Sequence, residues 1–88
     1  MGRADKALER LVSVPIPRDY TWAELVAVMT RLDYELKTTG GSGRKFIHRT
    51  TRAALMLHEP HPASILKVYQ VRDVIRFLRQ EGALDENR

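Results

Sequence analysis

The spacing of the apolar residues changes twice along this 88-residue chain, and those two changes limit what it can fold into. Trp22, Leu25, Val26, Met29 and Leu32 fall on one stripe at helical spacing. After Asp33 the period drops to two: Tyr34, Leu36 and Thr38 alternate with Glu35, Lys37 and Thr39. Beyond Pro62 the helical spacing returns in Val68, Val71, Val74, Ile75 and Leu78. Side chains repeat every 3.6 residues on a helix and every two on a strand, so one pattern cannot serve as the other. The middle of the chain is therefore expected to be sheet and its flanks helical.

The signals at the ends of these stretches sharpen the boundaries. Thr21 followed by Glu24 three residues on is a capping box, and Tyr20 can pack on Leu25 as a staple, so a helix is expected at about 21–32. Gly40-Gly41-Ser42-Gly43 breaks the first strand. Arg44 to His48 resumes, with Phe46 and His48 on one face and Lys45 and Ile47 on the other. Arg49-Thr50-Thr51-Arg52 reads as a turn, and Ala53 to His58 as a third strand with Leu55 and Leu57 opposite Met56 and His58. The prolines of Glu59-Pro60-His61-Pro62 lack the amide donor and end the sheet. A last helix is expected at about 68–81, closed by Gly82. Ahead of all this, Ala4 to Val12 carries Ala7, Leu8, Leu11 and Val12 at helical spacing and is ended by Pro15 and Pro17. The expected class is α+β: a three-stranded antiparallel sheet with helices on one face, in the order α-β-β-β-α plus an extra N-terminal helix. The segments read as a short helix and connector over 1–17, a main domain over 18–84 and a tail over 85–88.

Composition narrows the function. A chain this short buries only about 60–65 % of its unfolded surface, which leaves one thin core and a shallow active site. Cysteine is absent, so disulfide staples and thiolate metal sites are excluded. The opening residues do not resemble a secretory signal, and apolar runs such as Ala53 to Leu57 fall far short of the roughly 20 residues that span a bilayer. A cytoplasmic location and no membrane partner are expected. Fifteen basic against eleven acidic residues give a net charge of +4, which favours polyanionic partners.

Three groups of residues could carry chemistry. Gly40-Gly41-Ser42-Gly43-Arg44-Lys45 combines a flexible backbone with phosphate donors. It lacks the ending of a nucleotide P-loop and opens no helix, so no nucleotide cofactor is expected. Read by composition alone, it is also a plain strand connection. His48, His58 and His61 lie within fourteen positions. They could be structural, or they could serve as acid and base in RNA cleavage, since histidine titrates near neutrality. Their spacing suits a metal poorly, and no metal is expected. Arg72, Arg76 and Arg79 share one exposed helix face. Tyr20, Trp22, Phe46 and Phe77 are expected in the core, as is Tyr69, which is the one aromatic also suited to base stacking.

Gly41 to His48, His58-Glu59-Pro60-His61-Pro62 and Val71 to Leu78 with Gly82 together resemble the HicA toxins of bacterial toxin–antitoxin pairs over about residues 18–84. The resemblance implies a fold similar to a double-stranded RNA-binding domain. It also implies a toxin that cleaves mRNA without a metal or other cofactor and is neutralised by a HicB antitoxin. Family members carry Gly-Ser-His at the loop, with that histidine catalytic. Here Gly41 and Ser42 match, and Gly43 stands at the histidine's place. The expected site is therefore His58 or His61 for proton transfer, with Gly41, Ser42, Arg44, Lys45, His48, Arg72, Arg76 and Arg79 on RNA. The alternatives are a non-catalytic RNA-binding module and a protein-interaction domain with an acidic partner.

Overall fold

In the computed structural model, which describes residues 2–84, three helices and three strands follow in the expected order. They are α1 (Arg3–Leu11), α2 (Trp22–Arg31), β1 (Tyr34–Thr38), β2 (Gly43–His48), β3 (Ala54–His58) and α3 (Val68–Gln80). The strands form one antiparallel meander in the order β1-β2-β3. The register sets Leu36 opposite Phe46 and Phe46 opposite Leu55. Residues that face each other across a ladder point to the same side of the sheet. Tyr34, Phe46 and Leu57 are thus buried on the helix side, while Lys37 and Met56 are exposed on the other.

Helix α2 starts where the capping box places it. Thr21 Oγ1 accepts from the Glu24 amide at 3.1 Å, and Glu24 Oε1 accepts from the Thr21 amide at 2.9 Å. Each bond satisfies a donor that the first helical turn would otherwise leave open. Trp22, Leu25 and Met29 are buried as expected, but so is Val28, off the anticipated stripe. The reason is tertiary: α2 packs against β1 on one side and against α1 on another. A helix covered twice needs a wider apolar face than a single stripe supplies.

Helix α1 is part of the core. Ala7 and Leu11 are fully enclosed, and the Tyr20 hydroxyl donates to the Ala7 carbonyl at 2.6 Å. Arg10 ties the same region from outside, pairing with Asp19 at 2.7 Å and Glu24 at 3.2 Å and lying over the Tyr20 ring. Burial holds the Tyr20 phenol in its neutral form and raises its pKa well above the usual value, with the nearby Glu24 carboxylate adding to the effect. The Tyr34 phenol is raised for the same first reason.

Helix α3 closes the core with Val71, Val74, Ile75 and Leu78, and Gly82 takes the left-handed conformation just beyond its end (φ 77°). Its first turn is anchored by Gln70, which is buried and donates from Nε2 to the His58 carbonyl at 3.0 Å. The segment before α3 is tied to the start of α2 through Trp22 N to Ser64 O and Leu66 N to Tyr20 O. Tyr69 departs from expectation: it is exposed, because its neighbours Gln70 and Val71 occupy the buried side of that turn.

Candidate nucleic-acid interface

The β1–β2 connection is the centre of the site, and its backbone explains its glycines. Gly40 and Gly41 both have positive φ (105° and 52°), where a side chain would be strained. The turn closes through Gly43 N to Gly40 O at 2.9 Å and Thr39 N to Gly43 O at 3.0 Å. Gly43 is different. Its backbone is ordinary, but a Cβ there would lie 2.4 Å from Thr39 Oγ1. The hydroxyl of Thr39 fills the space that a side chain at position 43 would enter.

Arg44 does not reach outward. Its parity places it on the helix side of β2, where its side chain is 16 % exposed. Nε donates to Glu59 Oε1 at 2.9 Å, and Nη1 donates to the carbonyls of Gly41 and Gly43 at 3.0 and 2.8 Å. With Glu59 N to Ser42 O at 2.8 Å, these bonds fasten the glycine turn to the end of β3. Arg44 is thus engaged in holding the loop.

The fastening brings Ser42 to His58. The two residues are sixteen positions apart, and Ser42 Oγ lies 3.2 Å from His58 Nδ1. In the β2–β3 ladder His58 is the direct cross-strand partner of Gly43. The imidazole therefore stands beside the position where the resemblance leads one to expect a histidine. One diagonal step away is Lys45, which faces Lys37 on β1 and Met56 on β3. Opposed residues on paired strands have Cβ atoms about 4.5–5.5 Å apart, and like charges so placed repel. The only compensation among the described residues is Glu35, 3.9 Å from Lys37 Nζ. An open face with two opposed ammonium groups and an adjacent imidazole favours an anion.

The other expected residues are distributed elsewhere. His48 is half-buried, with its ring edge-on to Tyr34, and its Nδ1 accepts from the amides of Thr50 and Thr51, both at 3.1 Å. It caps the β2–β3 turn. His61 is exposed in the segment after β3, without a hydrogen-bond partner among the described residues. Arg72, Arg76 and Arg79 lie in the helical layer, where they line a groove with Val12, Val14 and Ile16. The cations thus form two separate surfaces. Lys37 was absent from the expected set. Its parity was legible from the alternation of β1, but its pairing with Lys45 depends on register. Among the described residues no three His, Asp or Glu side chains converge on a common point. None of the described helices is long and apolar enough to cross a membrane.

The fold and this surface define a small α+β domain with a cationic open sheet face and an exposed imidazole at its rim. The family described as HicA toxin of bacterial toxin–antitoxin matches residues 22–83, and the chain belongs to that family. It is the toxin of a toxin–antitoxin pair. Neither a curated protein nor a solved structure matches it.

Proposed function

We propose that the chain is an mRNA endoribonuclease whose proton-transfer group is His58, held by Ser42, and that a HicB-like antitoxin neutralises it. The observation that carries this reading is the cross-strand placement of His58 opposite Gly43, with Ser42 Oγ at 3.2 Å. The imidazole that the family resemblance would put at position 43 stands here on the neighbouring strand, on the same face. His61, exposed and without a hydrogen bond to the loop among the described residues, is left out of the proton transfer.

The chemistry needs no group beyond those present and solvent. A scissile phosphate lies over Lys37 and Lys45, whose charges stabilise the phosphorane as negative charge builds up. With Nδ1–H donating to Ser42 Oγ, His58 Nε2 keeps its lone pair and takes the proton of the ribose 2′-OH. The 2′-oxygen bonds to phosphorus, the bond to the 5′-oxygen breaks, and that oxygen takes a proton from solvent. The products are a 2′,3′-cyclic phosphate and a 5′-hydroxyl. An antitoxin seated on the open face occludes the two lysines and the imidazole together.

The test is purified protein on RNA with and without EDTA, alongside expression in cells lacking the antitoxin. Cleavage in both conditions, cyclic-phosphate ends and growth arrest are expected. Intact RNA and normal growth would reject the reading. A second reading, RNA binding without cleavage, is favoured by Gly43 itself, because glycine cannot move a proton. It predicts salt-sensitive affinity with no cut at any enzyme concentration.

A further inference from the structure

The N-terminal helix and its connector do more than cover the core. Residues 12–16 run beside α3 and leave a groove of about 530 Å³ between them. Val12, Ile16 and Ile75, the less exposed apolar residues of its lining, form an apolar floor with the polar Ser13 and Gln80 beside it, and Val14 stands at its edge 91 % exposed. Its rim carries Arg72, Arg76 and Arg79. Arg72 and Arg79 have no acidic partner among the described residues, and Arg76 reaches only Asp73 at 3.5 Å on its own helix. Arg79 Nε is buried without any hydrogen-bond partner among them. A buried guanidinium nitrogen left open costs stability until an acceptor fills it. The groove lies in the helical layer, whereas Lys37, Lys45 and His58 lie on the far, open face of the sheet.

We infer that this groove is a docking site for a short acidic segment of a partner protein, with an apolar side chain on the floor and carboxylates on the arginines. Guanidinium forks suit carboxylate and phosphate alike, so the rim alone does not choose. The floor does. Single-stranded RNA is held by stacking bases on aromatic rings, and none of the groove-lining residues is aromatic. Duplex RNA presents a convex polar backbone, which leaves a concave apolar floor unfilled. A peptide that alternates aliphatic and acidic side chains satisfies both parts.

The experiment uses the full chain and a fluorescein-labelled peptide of alternating leucine and glutamate, on the order of ten residues long. The same peptide with glutamine for glutamate and an oligouridine RNA are the comparisons. The glutamate peptide should bind, and the glutamine version about tenfold or more weaker. Val14→Asp, at an exposed position that leaves the fold and RNA cleavage unchanged, should weaken the peptide. So should Arg72→Ala with Arg76→Ala, and Lys45→Ala should not. Equal binding of both peptides would overturn the inference. So would unchanged affinity in the groove variants, or loss of RNA in place of peptide when the arginines are removed. A gain in peptide affinity in Asp85→Asn/Glu86→Gln would mean that the chain's own acidic end fills the groove, which also overturns it.

Discussion

The open sheet face and the groove beside α3 both concentrate cations, but they hold them differently. On the sheet, the ladder fixes Lys37 and Lys45 directly opposite each other, with His58 on the neighbouring strand and Met56, Ile47 and Ala54 as the apolar residues of that face. On the helix, arginines at spacings of four and three project along one side of α3 above an aliphatic floor. A rigid ladder confines like charges at short range and so selects a compact, multiply charged anion. A helix rim spreads its charges over two turns around a greasy slot and so selects a flexible acidic chain. Charge of the same sign therefore does not mean the same partner; the surface between the charges decides.

His58→Ala separates the two surfaces most strongly. Loss of a positioned general base typically costs about 10²–10⁴-fold in rate. RNA cleavage should fall by that order while peptide binding at the groove stays unchanged. His61→Ala should leave cleavage intact, and a loss there equal to that of His58→Ala would refute the assignment. Returning the imidazole to β2 sharpens the same point. In a His58→Ala background, Gly43→His with Thr39→Ala should restore part of the cleavage. Gly43→His alone should restore less, because the Thr39 hydroxyl blocks the new Cβ.

Removing the opposed lysines separates the surfaces next. Lys37→Ala/Lys45→Ala should weaken RNA binding and lower the slope of log affinity against log salt by about 1–2. In the absence of RNA the same double variant should not be destabilised, and it gains a few tenths of a kcal/mol if the lysine repulsion is relieved. A clear loss of stability would show that the pair is structural.

Arg44 tests the loop rather than the charge. Arg44→Ala leaves the part-buried Glu59 carboxylate and the Gly41 carbonyl without this donor, and the Gly43 carbonyl with the Thr39 amide alone, which should cost about 1–3 kcal/mol in chemical denaturation. It should also release Ser42 from His58, lowering cleavage without changing the salt slope. A changed salt slope would make Arg44 a phosphate contact after all.

The effect furthest from either surface concerns the core. Tyr20→Phe removes the bond to the Ala7 carbonyl and should cost about 1 kcal/mol. The Tyr20 and Tyr34 phenols hold their protons more tightly in the folded chain than in the unfolded one. Their contribution is therefore fully present below the ordinary tyrosine value of about 10 and is lost as pH rises beyond it. Thermal melts from neutral to strongly alkaline pH should show that decline, and Tyr20→Phe should flatten it.

Much of the architecture was legible in local patterns. The capping box at Thr21 and Glu24 located the start of α2, and Gly82 located the end of α3. The alternation at Tyr34, Leu36 and Thr38 assigned β1 and the face of each residue. These are short-range rules, acting within one turn or one pleat. The site was legible in part. Gly41, Ser42 and His58 were singled out, but which histidine joins the loop was not. Arg44 looked like a phosphate ligand because composition cannot show which side of a strand a turn will fasten. Val28 and Lys37 escaped notice because their roles depend on what lies across from them.

Local order along the chain sets where helix gives way to strand and back, which side chains share a face, and the basic character of the surface. It could do so because period, capping and charge are properties of neighbours along the chain. Folding in three dimensions sets the alignment of Gly43 and Lys45 with His58 and Lys37, and the groove that α1 and its connector build with α3. Register and packing join residues that the chain keeps many positions apart, and no local pattern encodes the distance between them.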